Sequence, residues 1–187
     1  MDVSAVVLSA KPVQLLLPGV EVVGHVSRFD DPAGLLDARI ASLEKIKTEW
    51  FFFLDDDDHL PDDYLRVLDL CIRAGTPLAY TNELIVDQNR QYVRRSGHYS
   101  QSAHLMNRTY VHHLAVCRTA AALDAAKFIP RGNYGVEPLL YFQIAKQGAT
   151  WIDEIGYVWC ASGNGLSMHS DMLTAMTSST IWAGRNL

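Results

Sequence analysis

Trp50, Phe51, Phe52, Phe53 and Leu54 form an unbroken apolar run that stops against four consecutive aspartates, Asp55 to Asp58. A short run with no polar residue at alternate positions is the pattern of a strand buried on both faces, the usual state of a central strand in a parallel sheet. Val3 to Ser9 reads as a first strand and Val20 to Val26 as a second, and the residues between them, with Pro12 and Pro18, are too few for a regular crossover helix. Asp30-Asp31-Pro32 is a helix start, an acid cap followed by proline at the first helical position, and Leu36, Ile40 and Leu43 recur at helical spacing towards Thr48. A second helix is expected from Pro61 to Ala74, its apolar face carrying Tyr64, Leu65, Leu68, Cys71 and Ile72, with Gly75 as its stop. Strands alternating with helices predict an α/β fold with a mixed, mostly parallel sheet flanked by helices.

The second half is less regular. Leu78 to Thr81 reads as a strand, and Glu83 to Val86 with Gln91 to Arg94 as a hairpin. His112 to Cys117 reads as a strand running into a helix over Thr119 to Ala126. After the turn-rich stretch 130–135, a helix from Val136 to Lys146 ends at Gly148, and Trp151 to Cys160 is again strand-like. A loop and a helix over Met168 to Trp182 complete the pattern, and 187 residues fit a single domain.

In open α/β sheets ligands bind beyond the carboxyl ends of the strands, where the aspartates are delivered. Four acids there repel one another unless a cation sits among them, and carboxylates in this pattern suit Mg²⁺ or Mn²⁺ with a phosphate-bearing ligand. Asp62 and Asp63 need no such ligand, because acids near a helix N-terminus are favoured by its dipole. The three cysteines, Cys71, Cys117 and Cys160, are odd in number and set in apolar surroundings, which suits reduced thiols of a cytoplasmic protein. No stretch reaches the ~20 apolar residues of a membrane span, so a soluble, unexported protein with no transmembrane segment is expected. The net charge of −5 is unevenly spread. Between positions 88 and 131, Arg90, Arg94, Arg95, Arg108, Arg118, Lys127 and Arg131 stand against Asp124 alone, an arrangement that fits an anion-binding wall.

Ala38-Arg39-Ile40, the apolar strand, Asp55-Asp56-Asp57-Asp58 and Leu60-Pro61-Asp62 follow one another in an order that resembles the nucleotide-sugar-dependent glycosyltransferases of family 2, which have the GT-A fold. Tyr80-Thr81-Asn82, Val116-Cys117-Arg118 and Val136-Glu137-Pro138 through Gly148 resemble later motifs of that family, and the similarity covers about 38–167. The chain departs from the family at Ile40, where asparagine is usual, at Val136, where the first acid of a Glu-Asp pair is usual, and at 162–167, which lacks the family's histidine. It also has a shortened N-terminal half. The resemblance implies one compact domain over 1–187, with a nucleotide-sugar half at 1–82, an acceptor and catalytic half at 83–167 and a helical tail at 168–187. It implies metal-dependent, inverting transfer of a hexose or pentose from a nucleotide-diphosphate sugar, expected to be a UDP-sugar, to an acceptor hydroxyl. Asp57 is then the first metal ligand for Mn²⁺ or Mg²⁺, with Asp55 and His169 beside it. Asp55, Asp56, Arg39, Asp30 and Ser9 are the nucleotide contacts, and Glu137 is the general base.

The acceptor expected from the resemblance is a saccharide or lipid-linked saccharide, and the basic segment 88–131 adds a hydroxymethylated base in DNA. A phosphatase of the haloacid dehalogenase type also places Asp-x-Asp after an apolar strand, and a non-catalytic metal or nucleotide-sugar-binding module is a further alternative. His112 and His113, read as alternating in a strand, are expected to send one ring inward without a metal role.

Overall fold

The computed structural model describes residues 1–9, 12–26, 32–87, 90–107, 109–129 and 136–161. In chain order they form β1 (Val3–Ser9), β2 (Glu21–Val26), α1 (Pro32–Leu43), β3 (Trp50–Asp55), α2 (Tyr64–Arg73), β4 (Leu78–Asp87), β5 (Gln91–Arg94), α3 (Gln101–Met106), β6 (Ala115–Arg118), α4 (Thr119–Ala126), α5 (Val136–Ala145) and β7 (Ala149–Ala161). The strands make one sheet in the order β2-β1-β3-β6-β4-β5, with β7 on the other edge of β4. β1, β2 and β3 are mutually parallel, as are β4 and β7, whereas β5 and β6 run antiparallel to their neighbours.

The apolar run behaves as its pattern requires. Phe51 and Phe53 pack with Leu139, Leu140 and Ile144 on one face, while Trp50, Phe52 and Leu54 pack with Val67, Leu68 and Cys71 on the other. All five aromatic and aliphatic side chains of β3 are buried. Burial on both sides fixes the strand, and with it the position at which Asp55 emerges. Pairing of Leu8 with Asp55 brings the C-terminal end of β1, with the buried Ser9, alongside that point.

Several elements differ from the sequence pattern. β4 is one ten-residue strand rather than a strand and half a hairpin. Thr81, Asn82 and Glu83, which interrupt its apolar pattern, are all buried because each finds a polar partner. The amide of Asn82 donates to Asp153 and accepts from the Ser96 backbone N–H and the Trp151 indole. The strand expected over His112 to Cys117 is confined to Ala115–Arg118, so both histidines precede it. α3 carried no helical signal strong enough to predict it; its N-cap is Ser100, which accepts from the Ala103 N–H. The expected helix at 168–182 lies outside the described residues.

β7 accommodates a register shift against β4 between Tyr80 and Glu83, and Gly156 lies within it. A Cβ at Gly156 would come within 2.5 Å of Thr81 Oγ1 and 3.1 Å of Leu114 Cδ2. The close approach carries the following residue, Tyr157, to the end of β3. Gly156→Ala is therefore expected to cost ~1–3 kcal/mol in urea denaturation, and less in a Thr81→Ala background; equal costs in both backgrounds would show that the approach is not the constraint.

Candidate active site

Arg39 projects from α1 and is almost wholly buried, with its guanidinium 4.9 Å from the ring centroid of Phe53. A buried cation is costly unless paired. Two carboxylates pair with it: Nη2 donates to Asp55 Oδ1 at 2.9 Å and Nη1 to Glu137 Oε1 at 3.3 Å. Arg39 thus reaches a carboxylate 98 positions away in sequence as well as one 16 positions away. Burial alone would lower the Arg39 pKa, but Glu137 and Asp55 outweigh it and hold the cation more firmly than in water.

His113 closes the same group. Its Nε2 lies 3.6 Å from Asp55 Oδ2 and 3.5 Å from Glu137 Oε1, and its ring stacks on Tyr157 at 4.7 Å. Burial opposes the charge on His113, yet Glu137 and Asp55 push its pKa up to about 9. Asp55, flanked by Arg39 and His113, is held well below the usual carboxylate range despite its burial. Tyr141 OH donates to Glu137 Oε1 at 3.0 Å, so three groups converge on that one oxygen.

The turn after β3 is latched by its fourth aspartate. Asp58 accepts from the Cys160 N–H at 2.7 Å and from Tyr157 OH at 2.9 Å, while the Tyr157 oxygen accepts from the Asp55 N–H at 3.1 Å. Burial pushes the Asp58 pKa up to about 6 against those hydrogen bonds. Asp56 and Asp57 are the exposed members of the run. The Asp57 pKa is raised, first by partial burial and then by the neighbouring charge of Asp55, with Asp56 adding to it.

These residues fit a divalent cation of a particular kind. Among the described residues no group of three or more His, Cys, Asp or Glu side chains converges as a complete metal site. Mg²⁺ and Mn²⁺ need no such cage, taking one or two carboxylates and filling the remaining positions with water and phosphate oxygens. Asp57, exposed and next to Asp55 and Asp56, is the carboxylate that could hold such an ion. Asp55 is differently placed, with one oxygen on Arg39 and the other facing His113.

Of the residues singled out from sequence, Arg39, Asp55 and Glu137 meet directly, Asp56 and Asp57 border them in the chain, and Ser9 lies at the neighbouring strand end. Asp30 and His169 lie outside the described residues. The sequence did not single out His113, Tyr141, Tyr157 and Asp58 for these roles. Tyr141 alone had a readable signal, the i, i+4 spacing from Glu137 on α5. The basic segment changes character in space: Arg90, Arg94, Arg95, Arg118 and Lys127 each pair with an acid, respectively Asp87, Glu83, Asp153, Glu49 and Asp124. Arg108 and Arg131 lie outside the described residues.

The fold is that of S. aureus TarS. The TarS 1–349 structure in complex with UDP-GlcNAc aligns over 91% of this chain and 61% of its own at 16% identity, with a TM-score of 0.64. TarS 1–349 in complex with UDP aligns over 87% and 61% at 14% identity and a TM-score of 0.60, and a longer TarS structure over 86% and 37% at 12% identity and 0.61. At these identities the likeness establishes the architecture, the GT-A fold expected from the motifs. The chain spans about 61% of the length of TarS 1–349. No protein-family model matches the sequence, and no curated protein is significantly similar to it.

Because the folded-state pKa of His113 lies above its ordinary value, the stabilisation it contributes is complete below about pH 6.5 and is lost as pH rises through about 9. Urea denaturation of the metal-free protein is expected to show that decline in the wild type and not in His113→Gln. An unchanged slope in the variant would remove His113 from the charge group. Arg39→Met, which leaves two carboxylates to the single charge of His113, is expected to cost ~3–5 kcal/mol in the same assay at pH 7.

Proposed function

We propose that the protein transfers a sugar from a nucleotide-diphosphate donor, a UDP-sugar, to an acceptor hydroxyl. The observation that carries this reading is the meeting of Asp55 and Glu137 on one buried guanidinium at the end of β3, beside the exposed Asp57. Two of the TarS structures that share the fold contain UDP-GlcNAc or UDP, which supports the choice of donor class.

Asp57 is the ligand assigned to Mn²⁺ or Mg²⁺, with Asp56 next to it. Such an ion, when bound, neutralises the charge that develops on the departing diphosphate oxygens. Asp55 is assigned to the ribose, its carboxylate oriented by Arg39 and His113, and Ser9 to the nucleotide from the adjacent strand end. Glu137 is the proton acceptor. Its Oε1 is engaged by Arg39, Tyr141 and His113, which leaves Oε2 to take the proton of the acceptor hydroxyl. The acceptor oxygen then forms its bond to the anomeric carbon as the bond to the diphosphate breaks on the opposite face, giving inversion by single displacement. Burial of Arg39 and His113 keeps the charges of the site fixed before substrate arrives, so little reorganisation is needed in the transition state.

The arrangement disfavours a phosphatase that uses Asp55 as nucleophile, because both of its carboxylate oxygens are engaged, Oδ1 by Arg39 and Oδ2 by His113, whereas Glu137 is engaged through Oε1 alone. A non-catalytic binding module differs from the transferase reading in turnover alone. UDP-GlcNAc with Mn²⁺ is expected to raise the melting temperature, and Asp57→Asn to abolish the manganese-dependent part of that rise. Glu137→Gln is expected to keep the shift while lowering UDP release ~10²–10⁴-fold. UDP release unchanged in Glu137→Gln would refute the base assignment, and no shift with any of a panel of nucleotide sugars would refute the transferase reading.

A further inference from the structure

A second polar group adjoins the site on the other side of His113. Glu83 on β4 is buried, and its Oε1 accepts from Arg94 Nε of β5 at 2.8 Å and also from Nη2 of the same residue. Its Oε2 lies 3.1 Å from Nδ1 of His112. The His112 ring is 4.5 Å from that of His113 and 6.2 Å from that of Trp159 on β7, and the Arg94 guanidinium lies 5.6 Å from the Trp159 centroid. Register places the group beside the candidate site, since Glu83 pairs with Tyr157 and Ile85 with Trp159 on neighbouring strands.

We propose that His112, Arg94 and Trp159, fixed from behind by Glu83, form the acceptor subsite and take a neutral, hydroxyl-rich acceptor, a saccharide without phosphate. This inference rests on the transferase reading and names the chemical class on its acceptor side.

The argument has three parts. A carboxylate against Nδ1 fixes the imidazole with that nitrogen protonated, which presents Nε2 as a hydrogen-bond acceptor. The His112 side chain is 27% exposed and that of Arg94 is 28% exposed, so both reach solvent while Glu83, at 4%, does not. Burial lowers the His112 pKa, with the His113 charge adding to that and Glu83 opposing it, which favours the neutral ring that accepts a hydroxyl proton. The charged groups facing His112 are Glu83 from β4, Arg94 from β5 and His113 from its own segment.

The second part is charge. Arg94 and Glu83 cancel, and each described cation of the 88–131 segment is paired with an acid, so the described residues of that segment offer a phosphate-bearing polymer no unpaired cation. The third is shape. A half-buried indole beside donors and acceptors is the pairing that sugar rings need, with an apolar surface for C–H groups and planar polar groups for vicinal hydroxyls.

The test is saturation-transfer NMR on the full chain with cellobiose, chitobiose and maltose as neutral probes, and with glycerol 3-phosphate and a short single-stranded DNA as anionic ones. At least one neutral disaccharide is expected to bind in a manner insensitive to salt. Affinity should fall about five- to tenfold in His112→Ala, as for one lost hydrogen bond, and fall in Trp159→Ala, while His112→Gln, which keeps an acceptor oxygen, retains part of it. The proposal is overturned if no neutral disaccharide binds, if His112→Ala binds as well as wild type, or if the anionic probes bind more tightly and are displaced by salt. The donor measurement is independent. Disaccharide binding that depends on His112, in a protein whose melting temperature no nucleotide sugar shifts, would sustain the subsite and remove the transferase reading.

Discussion

A guanidinium buried among aromatic side chains must be neutralised, and that requirement organises the candidate site. Arg39 leaves α1 against the ring of Phe53 and meets Asp55 at the end of the central strand and Glu137 at the start of α5. Each carboxylate is in turn close to His113. Two cations and two anions thus form a closed group whose members come from four parts of the chain. Removing any one leaves an uncompensated charge in a poorly hydrated place.

The same group divides labour among the four aspartates. Asp55 is committed to Arg39 and Asp58 to Tyr157 and the Cys160 backbone, and these two are the structural ends of the turn. Asp56 and Asp57 are left outward, and the charges of Asp55 and Asp56 add to partial burial in raising the Asp57 pKa. A run of identical residues in the sequence becomes two anchors and two exposed acids once the strand and the turn are imposed.

The end of β3 with its aspartates was readable because it is local. The apolar run, the aspartates and the Pro-Asp helix start are contiguous, and each follows from periodicity or capping. The contacts around Glu83, His112 and His113 were not, because their signals are long-range. Asn82 interrupts an apolar pattern and so divides the sequence between two expected strands, although Asp153 and Ser96 satisfy it when folded, as Arg94 and His112 satisfy the adjacent Glu83. The two histidines read as strand residues because they precede one, and nothing adjacent to them announces carboxylates from β3 and α5. The basic character of 88–131 was also misleading in sequence: its described cations are matched by acids, some three residues away and others, such as Asp153 for Arg95, from distant strands. What remained of the resemblance, the order of motifs along the chain, was sufficient for the fold.

The central claim is that Arg39 holds Asp55 and Glu137 together while Asp57 is left to face a cation and a diphosphate. A crystal structure of the protein soaked with UDP and Mn²⁺ tests it most directly. The account predicts manganese on Asp57, diphosphate oxygens on the manganese, and Asp55 and Glu137 still joined through Arg39. A structure with Asp57 turned to solvent and the nucleotide bound elsewhere, or with Arg39 released from both carboxylates, would contradict it.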